Sequence, residues 1–222
     1  MTSVSSEVVP QKIRVQIIAK APLAGFAKTR LIPALGADAA AALAEKMLLN
    51  IIRNCETVTE VDGVRVESSL WMSPGPESLH WRCVNIPHNF EQYAQQGEDL
   101  GERMACAFER GLVDACAVIV VGSDCPEIDA SVLHWAATAL QAHDACLVPC
   151  VDGGYALIGL RKFEASVFAD IPWSTDQVAD LTRQRLAECG MSCAEYKLVH
   201  DIDVAEDLAY LPSDWPESTL GA

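Results

Sequence analysis

Three cations stand in one short segment, Lys20-Ala21-Pro22-Leu23-Ala24-Gly25-Phe26-Ala27-Lys28-Thr29-Arg30, directly after the apolar run Ile13 to Ala19. Ammonium and guanidinium groups gathered in a loop offset the charge of a polyphosphate, Arg through its planar fork and Lys as a point charge. Pro22 and Gly25 exclude regular structure there and let the backbone fold closely around a ligand. An ordinary exposed loop with surface cations is the competing reading. The phrase Ala27-Lys28-Thr29 suggests a P-loop only superficially, because Pro22 and Ala27 stand where that motif needs glycines.

Carboxylates form the second set of candidates. Asp124 follows the run Ala117 to Gly122, which is apolar enough to be a fully buried strand, so its side chain emerges at a strand's carboxyl end. A hard divalent cation takes such an oxygen ligand. The other reading is a helix cap before Pro126, although Asp129 and Ser131 are better placed for that role. Asp201 and Asp203 flank Ile202, so in an extended segment both project to one side and repel unless a cation compensates. Asp203 serves equally well as a cap, with Glu206 three residues on. Asp152-Gly153-Gly154-Tyr155 reads as a hairpin turn, and also as a small-acceptor or sugar site with an aromatic ring and close backbone approach. Pro172-Trp173-Ser174-Thr175 places an aromatic and two hydroxyls at a helix start, with Ser174 and Gln177 spaced as a capping box.

The elements that must position these residues alternate. Strands are expected at 13–19, 64–71, 117–122, 145–149 and 156–160, with short ones near 81–84 and 195–199. Helices are expected up to about Asn54 through Leu43, Met47 and Ile51, from Leu100 through Met104 and Phe108, through Leu133, Ala137 and Leu140, from Ser174 to about Cys189, and around Leu208. Right-handed βαβ crossovers then imply a single-domain three-layer α/β/α fold with a mostly parallel sheet covered on both faces. A ligand of such a sheet lies beyond the carboxyl ends of the strands, where the loops carrying Lys28, Asp124, Asp152 and Asp203 converge.

Composition narrows the partners. The 222 residues hold 16 basic and 31 acidic side chains, a net charge of −15, which repels nucleic acid and anionic membrane surfaces. No nucleic-acid partner and no membrane insertion are expected. A small phosphorylated ligand remains compatible, because a local basic loop and a bound cation reverse the potential at one site. Nine scattered cysteines without a Cys-x-x-Cys pair read as free thiols in a reducing cytoplasm. The five histidines are dispersed. One domain is expected over 11–211, with flexible tails at 1–10 and 212–222.

Taken in order, six motifs resemble a known family: Lys20-x-Pro22-x-x-Gly25-x-x-Lys28-Thr29-Arg30-Leu31, Gln96-Gly97-x-x-Leu100-Gly101-x-Arg103-Met104, Gly122-Ser123-Asp124-Cys125-Pro126, Asp152-Gly153-Gly154-Tyr155, Pro172-Trp173-Ser174-Thr175 and Asp201-Ile202-Asp203-x-x-Glu206-Asp207-Leu208. They look like the DUF2064 family of the GT-A-type nucleotide-diphospho-sugar transferase superfamily, whose relatives include the molybdenum-cofactor and phospholactate nucleotidyltransferases. The resemblance spans about Ile13 to Leu211. It implies a Rossmann-like GT-A fold with Mg²⁺ or Mn²⁺ held by Asp124 and Asp203. It implies nucleotide phosphates at Lys20, Pro22, Gly25, Lys28, Arg30 and Ser123, and catalytic roles for Asp124, Asp152 and Lys28. The acceptor would lie at Gly153, Gly154, Tyr155, Trp173, Ser174 and Thr175. The reaction implied is glycosyl transfer from a nucleoside diphosphate-sugar to a small-molecule acceptor. Nucleotidyl transfer to a phosphorylated acceptor is the alternative, and a non-catalytic nucleotide-binding regulator is a third. This chain has Ala21-Pro22 where the nucleotidyltransferases have Gly-Gly, and one aspartate where many glycosyltransferases have Asp-x-Asp. The base, sugar, acceptor and any homo-oligomer stay open.

Overall fold

The structure is a computed structural model and describes residues 11–215. β1 (Lys12–Lys20) is its central strand, with Ile13, Val15, Ile17 and Ala19 buried on one face. It pairs in parallel with β3 (Val64–Ser73) on one side and β5 (Ala117–Gly122) on the other. β2 (Glu60–Val61) forms a short antiparallel ladder with β3, and β4 (Glu91–Ala94) runs parallel to the later part of β3. Beyond β5 the order continues β7 (Tyr155–Leu160), β6 (Ala145–Pro149) and β8 (Cys193–Glu195). β7 is antiparallel to both of its neighbours, so β5, β6 and β8 keep the direction of β1. The mostly parallel sheet is therefore as expected.

Helices cover both faces. α1 (Ile32–Leu35) is a single turn, and α2 (Ala37–Thr57) follows it. α2 and α4 (Ala130–Ala142) bury Leu48, Ile51, Leu133 and Leu140 against Ile13, Val15, Ile119 and Val121. α3 (Leu100–Gly111) and α5 (Val178–Glu188) bury Met104, Phe108 and Leu186 against Trp71, Val118 and Ile158. A third, smaller cluster of Leu31, Leu43, Met47 and Ile202 decides where the site forms. It packs the loop after β1 and the chain around Ile202 onto α2, and each fully buried Leu or Ile contributes about 1.5–3 kcal/mol to holding them there.

Several local expectations are corrected. No strand lies near 81–84, where Leu79–Trp81 form a 3₁₀ turn. Trp81 is buried there and donates from Nε1 to the Pro74 carbonyl at 2.8 Å. The helix expected from Ser174 starts at Val178, and Ser174 cannot cap it because its φ is +67°. Thr175 organises that segment instead, its Oγ1 donating to the Pro172 carbonyl at 2.8 Å. The last helix is a 3₁₀ segment, Ala205–Tyr210. The strand near 195–199 is β8 followed by a single parallel bridge from Val199 to Cys150. Of the expected tails, 1–10 and 216–222 lie outside the described residues, whereas Trp215 packs against the third cluster with the Lys46 ammonium 4.6 Å from its ring centroid. No described helix is long and apolar enough to cross a membrane.

Candidate active site

From β1 the chain goes to β3 on one side and later returns to β5 on the other, and a parallel sheet binds its ligand in the crevice outside such a switch point. A cavity of about 750 Å³ opens there, lined by Lys20 at the end of β1, by Gly122 at the end of β5 and by Ser123 and Asp124 just after it. One wall comes from the loop after β1. Gly25 (φ +78°) and Lys28 (φ +46°) both take left-handed backbone, and Lys28 caps the 3₁₀ turn Thr29–Leu31 that Leu31 anchors in the core. A non-glycine residue in that conformation costs on the order of 1 kcal/mol, so surrounding contacts must hold it.

Those contacts are ionic. Lys28 Nζ donates to Asp124 Oδ2 at 3.0 Å and to Asp203 Oδ1 at 3.5 Å, while Arg30 donates to Asp203 Oδ2 at 2.8 Å. The Lys28 side chain is only 10% exposed, against 65% for Arg30. Burial alone would lower the Lys28 pKa, but the charges of Asp124 and Asp203 outweigh it and hold it above the ordinary 10.5. Burial likewise pushes Asp124 up, and the Lys28 charge and hydrogen bond bring it below 3.8. Both groups are ionised at neutral pH.

Neither aspartate is a helix cap. Asp129 accepts from the backbone of Ser131 and Val132 at the start of α4. Asp207 accepts from the backbone of Asp203 and Val204 at the start of the last 3₁₀ segment. Asp124 and Asp203 thus turn their side chains to the cavity, and the backbone bond from Ile202 to the Asp124 carbonyl, 2.9 Å, ties the two segments together. The Lys28 ammonium between the two carboxylates stands in for a cation, and an oxygen pair of this kind fits a hard divalent ion. Close by, ligand atoms of Cys150, Asp152 and Asp201 lie within 4.8 Å of one another. Asp201 has no cation within ion-pair distance among the described residues. Burial, then the charges of Asp152 and Asp124, raise its pKa to about 6.

The opposite wall belongs to α3, β7 and the segment before α5, and it carries Arg103, Met104, Tyr155, Trp173, Ser174 and Thr175. Gly101 lets α3 approach Trp173, since a Cβ there would meet the indole at 2.6 Å. Burial pushes the Tyr155 phenol up, so it stays a neutral hydroxyl. Asp152 and Gly154 reach the cavity from the β6–β7 hairpin, where Asp152 Oδ1 accepts from Gly154 N at 2.8 Å.

The sequence profile of DUF2064, a family described as an uncharacterised protein conserved in bacteria, matches residues 57–175. The chain belongs to this family. Among solved structures, this DUF2064 chain is similar to a candidate nucleotide-diphospho-sugar transferase from Desulfovibrio desulfuricans G20, at 28% identity, with 95% of this chain and 93% of that one covered and a TM-score of 0.83. Two more distant structures share the fold. One is a CMP:2-keto-3-deoxy-manno-octonic acid synthetase complexed with CTP, at 12% identity, 90% and 97% coverage and a TM-score of 0.56. The other is Rv0371c from Mycobacterium tuberculosis H37Rv in complex with manganese, at 16% identity, 92% and 100% coverage and a TM-score of 0.53. No curated protein matches.

Three residues expected at the DUF2064 site do not line the cavity: Pro22, Gly25 and Gly153. A Cβ on Gly25 would meet nothing within 4 Å, so its glycine serves only the turn. Gly153 (φ +89°) packs against the segment before α5, because a Cβ there would lie 2.1 Å from the Asp176 carbonyl. Conversely, Arg103, Cys150 and Phe26 line the cavity without having been singled out as site residues. Arg103 belongs to the second family-like motif, which was the one signal available for it. Phe26 is 44% exposed.

Proposed function

We propose that this chain is a divalent-metal-dependent transferase that uses a nucleotide-activated donor, and that it moves a glycosyl group from a nucleoside diphosphate-sugar to a small acceptor. The observation that carries this reading is the cluster of Lys28, Arg30, Asp124 and Asp203 at the carboxyl ends of β1 and β5, in which other residues do the helix capping. The 28% identical neighbour, named as a candidate nucleotide-diphospho-sugar transferase, supports it. In this reading Asp124 and Asp203 hold Mg²⁺ or Mn²⁺, which when bound offsets charge on the departing diphosphate. Lys20, Lys28, Arg30 and Ser123 bind the phosphates. Tyr155 and Trp173 bound the acceptor with Gly154, Ser174 and Thr175. The bond from the anomeric carbon to the diphosphate oxygen breaks, one to the acceptor oxygen forms, and the acceptor hydroxyl proton passes to the Asp152 carboxylate. Free thiols throughout suit a reducing cytoplasm.

The loop after β1 brings Lys20, Lys28 and Arg30 to the cavity while Pro22 and Gly25 stand outside its lining, so the charge offered to a phosphate comes from side chains, which suits a departing diphosphate and favours glycosyl over nucleotidyl transfer. A second reading, nucleotidyl transfer to a phosphorylated acceptor, rests on Arg103. It is half-buried on the acceptor wall, donates from Nε to the Gly97 carbonyl at 3.2 Å, and has no ion-pair partner among the described residues. Incubation with Mn²⁺ and panels of nucleotide sugars and nucleoside triphosphates tests both. Release of a nucleoside diphosphate from one sugar donor is the expected result, and pyrophosphate formed only with a phosphorylated acceptor would replace it with the second. No product from any donor would leave a nucleotide-binding regulator.

A further inference from the structure

Three of the four carboxylate oxygens on Asp124 and Asp203 already accept from cations of this chain. Asp124 Oδ2 and Asp203 Oδ1 face the Lys28 ammonium at 3.0 and 3.5 Å, and Asp203 Oδ2 faces Arg30 at 2.8 Å. A magnesium or manganese ion drawing oxygens from both aspartates must sit about 2.0–2.2 Å from each. It would then lie within a few ångströms of Nζ, and a charge buried as deeply as Lys28 has little water to screen the repulsion. The ammonium and the divalent ion therefore exclude one another in this arrangement. A diphosphate removes the conflict. It offers Lys28 and Arg30 new anionic partners and frees the aspartate oxygens for the metal.

We infer that Lys28 acts as a gatekeeper of the ion site: the site rejects a bare divalent cation and accepts the metal together with a diphosphate, as a chelate. This rests on the reading of Asp124 and Asp203 as the metal ligands. Lys28 is then the residue that makes metal and diphosphate binding interdependent, and by linkage each ligand tightens the other by the same factor. Removing the ammonium uncouples them and leaves an acidic pair that binds metal alone. Lys20 is the matched control, since it carries the same charge into the same cavity and has no ion-pair partner among the described residues.

The test measures Mn²⁺ alone on the full chain, by the electron paramagnetic resonance signal of the free ion. Lys28→Met should bind Mn²⁺ about tenfold or more tightly than wild type. Lys28→Gln should behave alike, and it keeps a hydrogen bond to Asp124 should the methionine variant fold poorly. Lys20→Met should change the affinity by less than about threefold, and adding Asp203→Asn to Lys28→Met should cancel the gain. Equal Mn²⁺ affinity in wild type and both Lys28 variants overturns the gatekeeper while leaving the metal reading intact, as does an equal gain from Lys20→Met. If none of these proteins binds Mn²⁺, the assignment of Asp124 and Asp203 as metal ligands fails first, and this inference with it. As an independent readout, Mg²⁺ and inorganic pyrophosphate together should raise the wild-type melting temperature by more than the sum of their separate effects. A merely additive rise counts against the coupling.

Discussion

The two ends of β1 each carry an ion network, and they are built differently. At the amino end, Lys12 meets Glu67 at 2.9 Å and Asp114 at 2.7 Å, while Arg14 makes a two-point contact with Asp114 at 2.9 Å through Nε and Nη2 and a further one with Glu91. Both cation side chains are 13% exposed. These pairs tie together the leading ends of neighbouring strands and use up the charges that they bring. At the carboxyl end, Lys28 and Arg30 share Asp203, while Lys20, Arg103 and Asp201 stay outside any ion pair among the described residues and border the cavity. An ion network by itself thus says little about function. Unspent charge beside open space at a strand's carboxyl end says more, and Asp201, which burial penalises and no cation pairs among the described residues, is the clearest case.

The sharpest way to break this contrast is to remove one acid from each end. Asp124→Asn keeps an acceptor for Lys28 but halves the acidic pair, so under the proposal that Asp124 holds a divalent ion, turnover should fall on the order of 100-fold or more. Its urea midpoint should stay near wild type. A large loss of stability with normal turnover would make Asp124 structural. Next in size, under the proposed glycosyl transfer Lys28→Ala and Arg30→Ala should each weaken binding of a nucleoside diphosphate by about 1.5–3 kcal/mol, the usual worth of a charge-assisted contact, read by calorimetry. Lys12→Met should leave that affinity unchanged, and a matching loss there would erase the distinction between the ends. Arg14→Met should show the reverse profile, with full turnover and a stability loss of about 1 kcal/mol, since it removes the hydrogen bonds to the half-exposed Asp114 and Glu91 while Lys12 still meets Asp114.

The comparison also explains how far the sequence could be read. Apolar runs such as Ile13 to Ala19 and Ala117 to Gly122 announce their strands, and strand alternation leads to the sheet and to its binding edge. Which aspartates are caps could not be settled from spacing. Asp207 displaces Asp203 from that role by a backbone bond that depends on how the chain turns after Ile202. Gly25 and Gly153 look alike as loop glycines, yet one stands in open space and the other presses on a carbonyl. Thr175 takes the organising role expected of Ser174: its hydroxyl donates to the Pro172 carbonyl, while Ser174 sits in left-handed backbone and the helix begins only at Val178. Arg103 carries no signal beyond its motif, because its place on the cavity wall depends on how α3 packs on the sheet, a tertiary contact without a sequence period.

The smallest expected effect separates the two ends by pH. Hydrogen bonds from Arg14, with burial opposing, hold the Asp114 carboxyl well below its ordinary 3.8, and Glu91 is also lowered, first by Tyr93 and then by Arg14. For an acid whose folded value is depressed, the unfolded chain binds the proton first as pH falls. The stabilisation is complete above the unfolded value, near 3.8 for Asp114, and fades as pH drops from there towards the folded value. Because the Asp114 side chain is 46% exposed, screening limits this to about 0.5–1 kcal/mol. Urea unfolding at pH 7 and pH 3 should therefore show that Asp114→Asn costs more stability at pH 7 than at pH 3, where part of the effect has faded. A cost independent of pH over that range would mean that Asp114 acts through packing alone, and the amino-end network would lose its electrostatic role in holding the strands.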